Sequence, residues 1–74
     1  MHNVDEKRER FKRIAENRTN KILEQMRLLG NCSNKNNYAY TEEEIRKIFT
    51  VIENQLKETK QKFLLKSNKE KFRL

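Results

Sequence analysis

The sequence holds one glycine and no proline in 74 residues. A sheet protein needs turn residues between its strands, and this chain has almost none to offer. Helices are the remaining way to satisfy the backbone over so long a stretch without punctuation. The single glycine, Gly30, opens the one segment rich in turn-forming residues, Gly30-Asn31-Cys32-Ser33-Asn34-Lys35-Asn36-Asn37-Tyr38-Ala39-Tyr40. Asn and Ser favour turns by bonding to nearby backbone. The sequence therefore predicts a helix from about Asp5 to Leu29, a loop over 30–40, a second helix over about 41–65, and a basic tail over 66–74 that either extends the second helix or is disordered.

Helix boundaries can be argued from individual residues. Asn3 followed by Glu6 has capping-box spacing, and Asp5, Glu6 and Glu9 suit the positive end of a helix dipole. Gly30 tolerates the left-handed conformation that closes many helices, so it is expected to end the first one. Thr41-Glu42-Glu43-Glu44 is a second capping box, with Thr41 as N-cap and Glu44 at N3. Tyr40 and Ile45 flank it at the staple positions. Lys57, Lys60 and Lys62 suit the negative end of the second helix.

Both segments carry apolar residues at helical spacing. In the first the stripe is Val4, Phe11, Ile14, Ala15, Ile22, Met26 and Leu29, with Arg18 in its middle. In the second it is Ile45, Ile48, Phe49, Ile52, Leu56, Thr59 and Phe63. Two long amphipathic helices joined by a short loop predict an all-α antiparallel two-helix hairpin. That pairing sets Ile22 near Ile52 and Phe11 near Phe63. About a dozen apolar side chains are too few to offset the ordering of so many residues. Leu23, Leu28, Val51 and Leu64 also fall outside the stripes. A hairpin completed by homodimerisation into a four-helix bundle, or by a partner, is therefore expected. Arg18 has two readings. Its stem can pack while its head reaches water or a Glu of the second helix, or it can meet a carboxylate or phosphate of a partner.

Composition limits the function. Lys and Arg number 18 against 11 Asp and Glu, for a net charge of +7. No run approaches the roughly 18 apolar residues of a membrane span, and a chain this short can scarcely enclose a catalytic cleft. An enzyme is not expected, nor is membrane insertion. Cys32 is the single cysteine and cannot form an intramolecular disulfide, and Met1-His2-Asn3-Val4-Asp5-Glu6-Lys7 has no apolar leader segment, so a cytoplasmic setting is expected. No His/Cys cluster suggests a metal, and no cofactor is implied.

The positive charge is unevenly spread. Residues 1–29 are net +3, residues 30–40 net +1, residues 41–58 net −2 and residues 59–74 net +5. In a hairpin the start of the first helix and the end of the second would meet as a basic open end. Clustered charge of this kind is a footprint for phosphate backbones. Arg8, Lys12, Arg13, Lys62, Lys66 and Lys69 are the candidate nucleic-acid contacts, whether the ligand is naked nucleic acid or a nucleoprotein. The loop offers a second surface. Asn34, Asn37, Tyr38 and Tyr40, with Arg18, are the candidate partner-binding residues, since Tyr gives contact area and Asn adaptable hydrogen bonds. Used that way, the chain would be a protein-interaction module, an adaptor or an inhibitor of a nucleic-acid enzyme.

The run Arg27-Leu28-Leu29-Gly30-Asn31-Cys32-Ser33-Asn34-Lys35-Asn36-Asn37-Tyr38-Ala39-Tyr40-Thr41-Glu42-Glu43 resembles a recurring pattern in small bacterial proteins of unassigned function, some linked to mobile elements or phages. The similarity runs from about Phe11 to Phe63. It implies a small bacterial protein and carries over no activity and no site residue. Cys32 stands where an apolar residue such as Leu is expected, which speaks against a reactive thiol.

Overall fold

The computed structural model describes residues 2–71, with side chains for residues 4–64. Among the described residues there are two α-helices and no strand: α1, His2–Asn31, and α2, Glu42–Lys71. The chain divides into two units, Met1–Ala39 and Tyr40–Leu74, each built on one helix. Each helix has 30 residues, or about 45 Å of length at 1.5 Å per residue.

α1 begins earlier and ends later than its sequence signals suggest. It starts at His2, so Asn3 lies inside the first turn and not at the cap. It also runs through Gly30 to Asn31. No glycine has a positive φ, so Gly30 is not the left-handed closing residue. The end is made differently. The amides of Cys32, Ser33 and Asn34 donate to the carbonyls of Leu29, Gly30 and Asn31 at 3.0, 3.1 and 3.3 Å. These i→i−3 bonds tighten the final turn and satisfy carbonyls that a helix end leaves open. No basic residue stands in the last turn of α1, so the backbone bonds act there without help from side-chain charge.

The turn that follows is ordered by Asn34. Its Oδ1 accepts from the Asn36 amide at 2.9 Å, and its carbonyl accepts from the Asn37 and Tyr38 amides at 3.1 and 3.0 Å. This is the local side-chain bonding that makes Asn a turn former.

α2 begins as its sequence predicts. Thr41 Oγ1 accepts from the Glu44 amide at 3.1 Å, and Glu44 Oε1 accepts from the Thr41 amide at 2.9 Å. Both halves of the capping box are therefore formed. The Thr41 carbonyl accepts the first bond of the helix, from the Ile45 amide, at 3.2 Å. Tyr40 and Ile45, at the staple positions, are both half-buried. Glu42, Glu43 and Glu44 fill the first turn, where the dipole favours negative charge. Inside α2, the Thr59 hydroxyl donates to the Gln55 carbonyl at 2.8 Å.

The far end of α2 passes the expected stop near Leu65 and reaches Lys71. The reason is in the sequence: residues 65–71 contain no Gly or Pro, and Leu, Lys and Glu are good helix formers. Lys57, Lys60 and Lys62 consequently lie in the helix interior and not at its negative end. Of the basic tail, 66–71 continues α2, and 72–74 lies outside the described residues.

Among the described residues no side chain is buried. The most sheltered are half-buried: Ile14, Ala15 and Leu29 of α1, Tyr40 ahead of α2, and Ile45 and Ile52 within it. The rest of the stripes face solvent, with Phe11 58%, Ile22 62% and Phe63 63% exposed.

Two substitutions test these helix ends. A Cβ placed on Gly30 meets nothing within 4 Å, and the backbone there is helical. Gly30→Ala should therefore stabilise the helix by about 0.8–1 kcal/mol, where a left-handed cap would have been damaged. Thr41→Ala should cost α2 about 1 kcal/mol. Helicity measured by circular dichroism during thermal melting reads both, and a loss of helicity in the Gly30 variant would contradict this description of α1.

Candidate nucleic-acid interface

Five basic residues crowd into seven positions near the start of α1: Lys7, Arg8, Arg10, Lys12 and Arg13. Seven residues make about two turns, so these side chains surround the helix and do not form one stripe. All five are exposed, and among the described residues none of them is held in an ion pair. Exposed, unpaired cations keep their full field for an anion arriving from solution.

The five are not equivalent. Arg10 and Arg13 line a shallow surface depression together with Asp5, Glu6 and Glu9. Three carboxylates thus lie around the two guanidinium groups there. Arg8 and Lys12 lie outside that depression. They stand four residues apart, one above the other on one side of the helix. Phe11 and Lys12 share a neighbouring open groove with Ala15, Glu16, Thr19 and Asn20.

On α2, Lys60 and Lys62 are exposed. The side chains of Lys66 and Lys69 lie outside the described residues, and the backbone at both positions is helical. Elsewhere in α1 a basic residue is already engaged. Arg27 donates from Nε to Glu24 Oε1 at 3.2 Å and from Nη2 to Glu24 Oε2 at 2.6 Å. The hydrogen bonds to Glu24 raise the guanidinium pKa above its ordinary value, slightly opposed by desolvation. Both partners are more than half exposed, at 62% and 53%, so the pair adds little stability. It does withdraw Arg27 from the pool of cations open to phosphate.

The residues expected to bind a protein partner are not brought into one place within their units. Asn34 has its side chain committed to the turn. Asn37 is exposed beside it, and Tyr38 is 51% exposed. Tyr40 is half-buried ahead of α2. Arg18 is exposed in the middle of α1, thirteen residues before Asn31, or about 20 Å along the helix. Within the first unit the turn thus presents Asn37 and Tyr38, and Arg18 belongs to a different part of the surface. Cys32 is exposed, with Sγ 3.9 Å from the Leu28 carbonyl.

Among the described residues no helix is long and apolar enough to cross a membrane. No group of His, Cys, Asp and Glu among them could hold a metal ion. No protein-family model matches the sequence, and no curated protein or solved structure shows significant similarity to it.

Proposed function

We propose that this chain is a non-enzymatic accessory protein that binds nucleic acid, naked or within a nucleoprotein, through its clustered basic residues. The observation that carries this reading is the exposed set Lys7, Arg8, Arg10, Lys12 and Arg13 on the first turns of α1, which holds no ion pair among the described residues. Arg8, Lys12 and Arg13 are its phosphate contacts on α1, and Lys62, Lys66 and Lys69 are those on α2. The sequence pattern supports an antiparallel pairing of the two helices, in which these two sets share one basic end. The exposed stripes support completion of that hairpin by association, with a second copy or with a partner. Binding is salt-sensitive and largely independent of sequence, because each phosphate contact releases a counterion. DNA and RNA are both within this chemistry.

A second reading rests on Tyr38, 51% exposed on an ordered turn. An amphipathic ring held in place by backbone bonds is a ready contact for a protein surface. In that reading the chain is an adaptor or an inhibitor of a nucleic-acid enzyme, contacting it through Asn34, Asn37, Tyr38, Tyr40 and Arg18.

Fluorescence anisotropy with labelled duplex DNA, single-stranded DNA and RNA separates the two. The native chain should bind at micromolar concentration or below at low salt, with affinity falling steeply as salt rises. Replacing both Arg8 and Lys12 by Glu should weaken binding at least about tenfold while helicity is retained. Tyr38→Ala should leave it unchanged. No binding at low salt, or equal losses in the two variants, would overturn the assignment of the basic surface.

A further inference from the structure

Phe11 is the point at which the apolar stripe of α1 gives way to charge. Residues three and four apart share a helix face. Toward the loop, the residues so related to Phe11 are Ile14 and Ala15; toward the start of α1 they are Lys7 and Arg8. A helical side chain leans toward the helix N-terminus, over the preceding turn. The turn next to the Phe11 ring is therefore the one that carries Lys7 and Arg8, and the ring remains 58% exposed. At about 100° per residue, Lys7 and Arg8 lie within about 60° of Phe11 round the helix axis, while Asp5, Glu6 and Glu9 lie about 120–160° away. The face that presents the ring thus presents cations, and the carboxylates of the same turns fall on the far side. Phe63 repeats the pattern on α2. The positions three and four residues from it are Thr59, Lys60, Lys66 and Ser67, none of them apolar, and Phe63 is 63% exposed. Phe49 is the contrast: Ile45 and Ile52 stand at those distances from it, and it is the least exposed of the three at 40%.

Phosphate alone needs only the cations. An exposed ring among them fits a ligand that offers a flat, apolar surface beside each phosphate, and an unpaired nucleotide is such a ligand. In a duplex the base faces are closed by stacking on one another, whereas unstacked bases are free to lie on an aromatic side chain. We infer that the ligand of the basic surface is single-stranded nucleic acid, DNA or RNA, with Phe11 and Phe63 each stacking on a base while Lys7, Arg8 and Lys12, and Lys60 and Lys62, hold the adjoining phosphates. Every base has a face to stack, so the preference is for unpaired strands and not for a sequence. Glu16 is the one carboxylate in the open groove that Phe11 and Lys12 line, and it lies on the side away from Lys7 and Arg8. An anionic membrane also takes cations and apolar groups together. It takes them from a helix with a continuous apolar face, and the face of α2 around Phe63 is polar at 59, 60, 66 and 67.

This rests on the proposal that the basic residues bind nucleic acid, and it names the form they bind. Fluorescence anisotropy of the full chain with labelled single-stranded DNA, single-stranded RNA and duplex DNA of matched phosphate number tests it. Both single strands should bind more tightly than the duplex. Phe11→Leu and Phe63→Leu keep an apolar, helix-forming side chain and remove the ring. Each should weaken single-strand binding at least about fivefold, with duplex binding and the salt dependence unchanged because no phosphate contact is lost. Phe49→Leu should leave the preference for single strands as it is. Phe11→Trp should retain binding, and its emission should be quenched when a single strand is added. A duplex bound as tightly as the single strands, equal losses on both forms in the Leu variants, or a Trp emission indifferent to a bound single strand would each overturn the inference and leave the basic surface standing. No binding of any nucleic acid at low salt, or binding of phosphatidylglycerol vesicles in its place, would overturn the inference together with the reading it rests on.

Discussion

Each helix carries an apolar stripe that its own turns cannot cover, and the rest of the molecule's behaviour follows from that. Backbone hydrogen bonds and caps make a long helix possible in water. They leave it marginal, because most helix stability in proteins comes from packing an amphipathic face. Here the caps are well made, yet no described side chain is buried. Phe11, Ile22, Leu56 and Phe63 project from elements whose local structure is otherwise complete. Association is the ordinary physical outcome for such surfaces.

Charge then decides what associates with what. The first turns of α1 are basic on several sides, the first turn of α2 is acidic, and the balance turns positive again beyond residue 59. In the proposed function a phosphate backbone is drawn to the first of these regions and not to the second. The proposed role of the basic surface therefore rests on electrostatics, while any affinity of helix for helix rests on the apolar stripes.

Much of the local structure was legible in the sequence, and the failures are instructive. Thr41 and Glu44 form the reciprocal bonds that their spacing announces, because a capping box needs only four consecutive residues and no tertiary support. Gly30 misled. A glycine near the end of an apolar pattern fits a left-handed cap equally well, and choosing between cap and helix interior requires knowing that three i→i−3 bonds already close the end. On its sequence the tail over 66–74 could extend α2 or be disordered, and residues 66–71 extend it. Lysines near a C-terminus favour a helix end that exists; they do not create one, and residues 65–71 hold nothing that breaks a helix. In the candidate site the basic positions were plain. The pairing of Arg27 with Glu24 was not, because only the helical fold turns a separation of three residues into proximity.

The central claim is that these helices depend on association for their stability. The most direct measurement is the thermal midpoint of the helical circular dichroism signal as a function of protein concentration, without nucleic acid. If folding is coupled to association, the midpoint rises steadily with concentration, as mass action requires. A midpoint that stays constant across a wide concentration range would contradict the account and show that the chain holds its helices as a monomer.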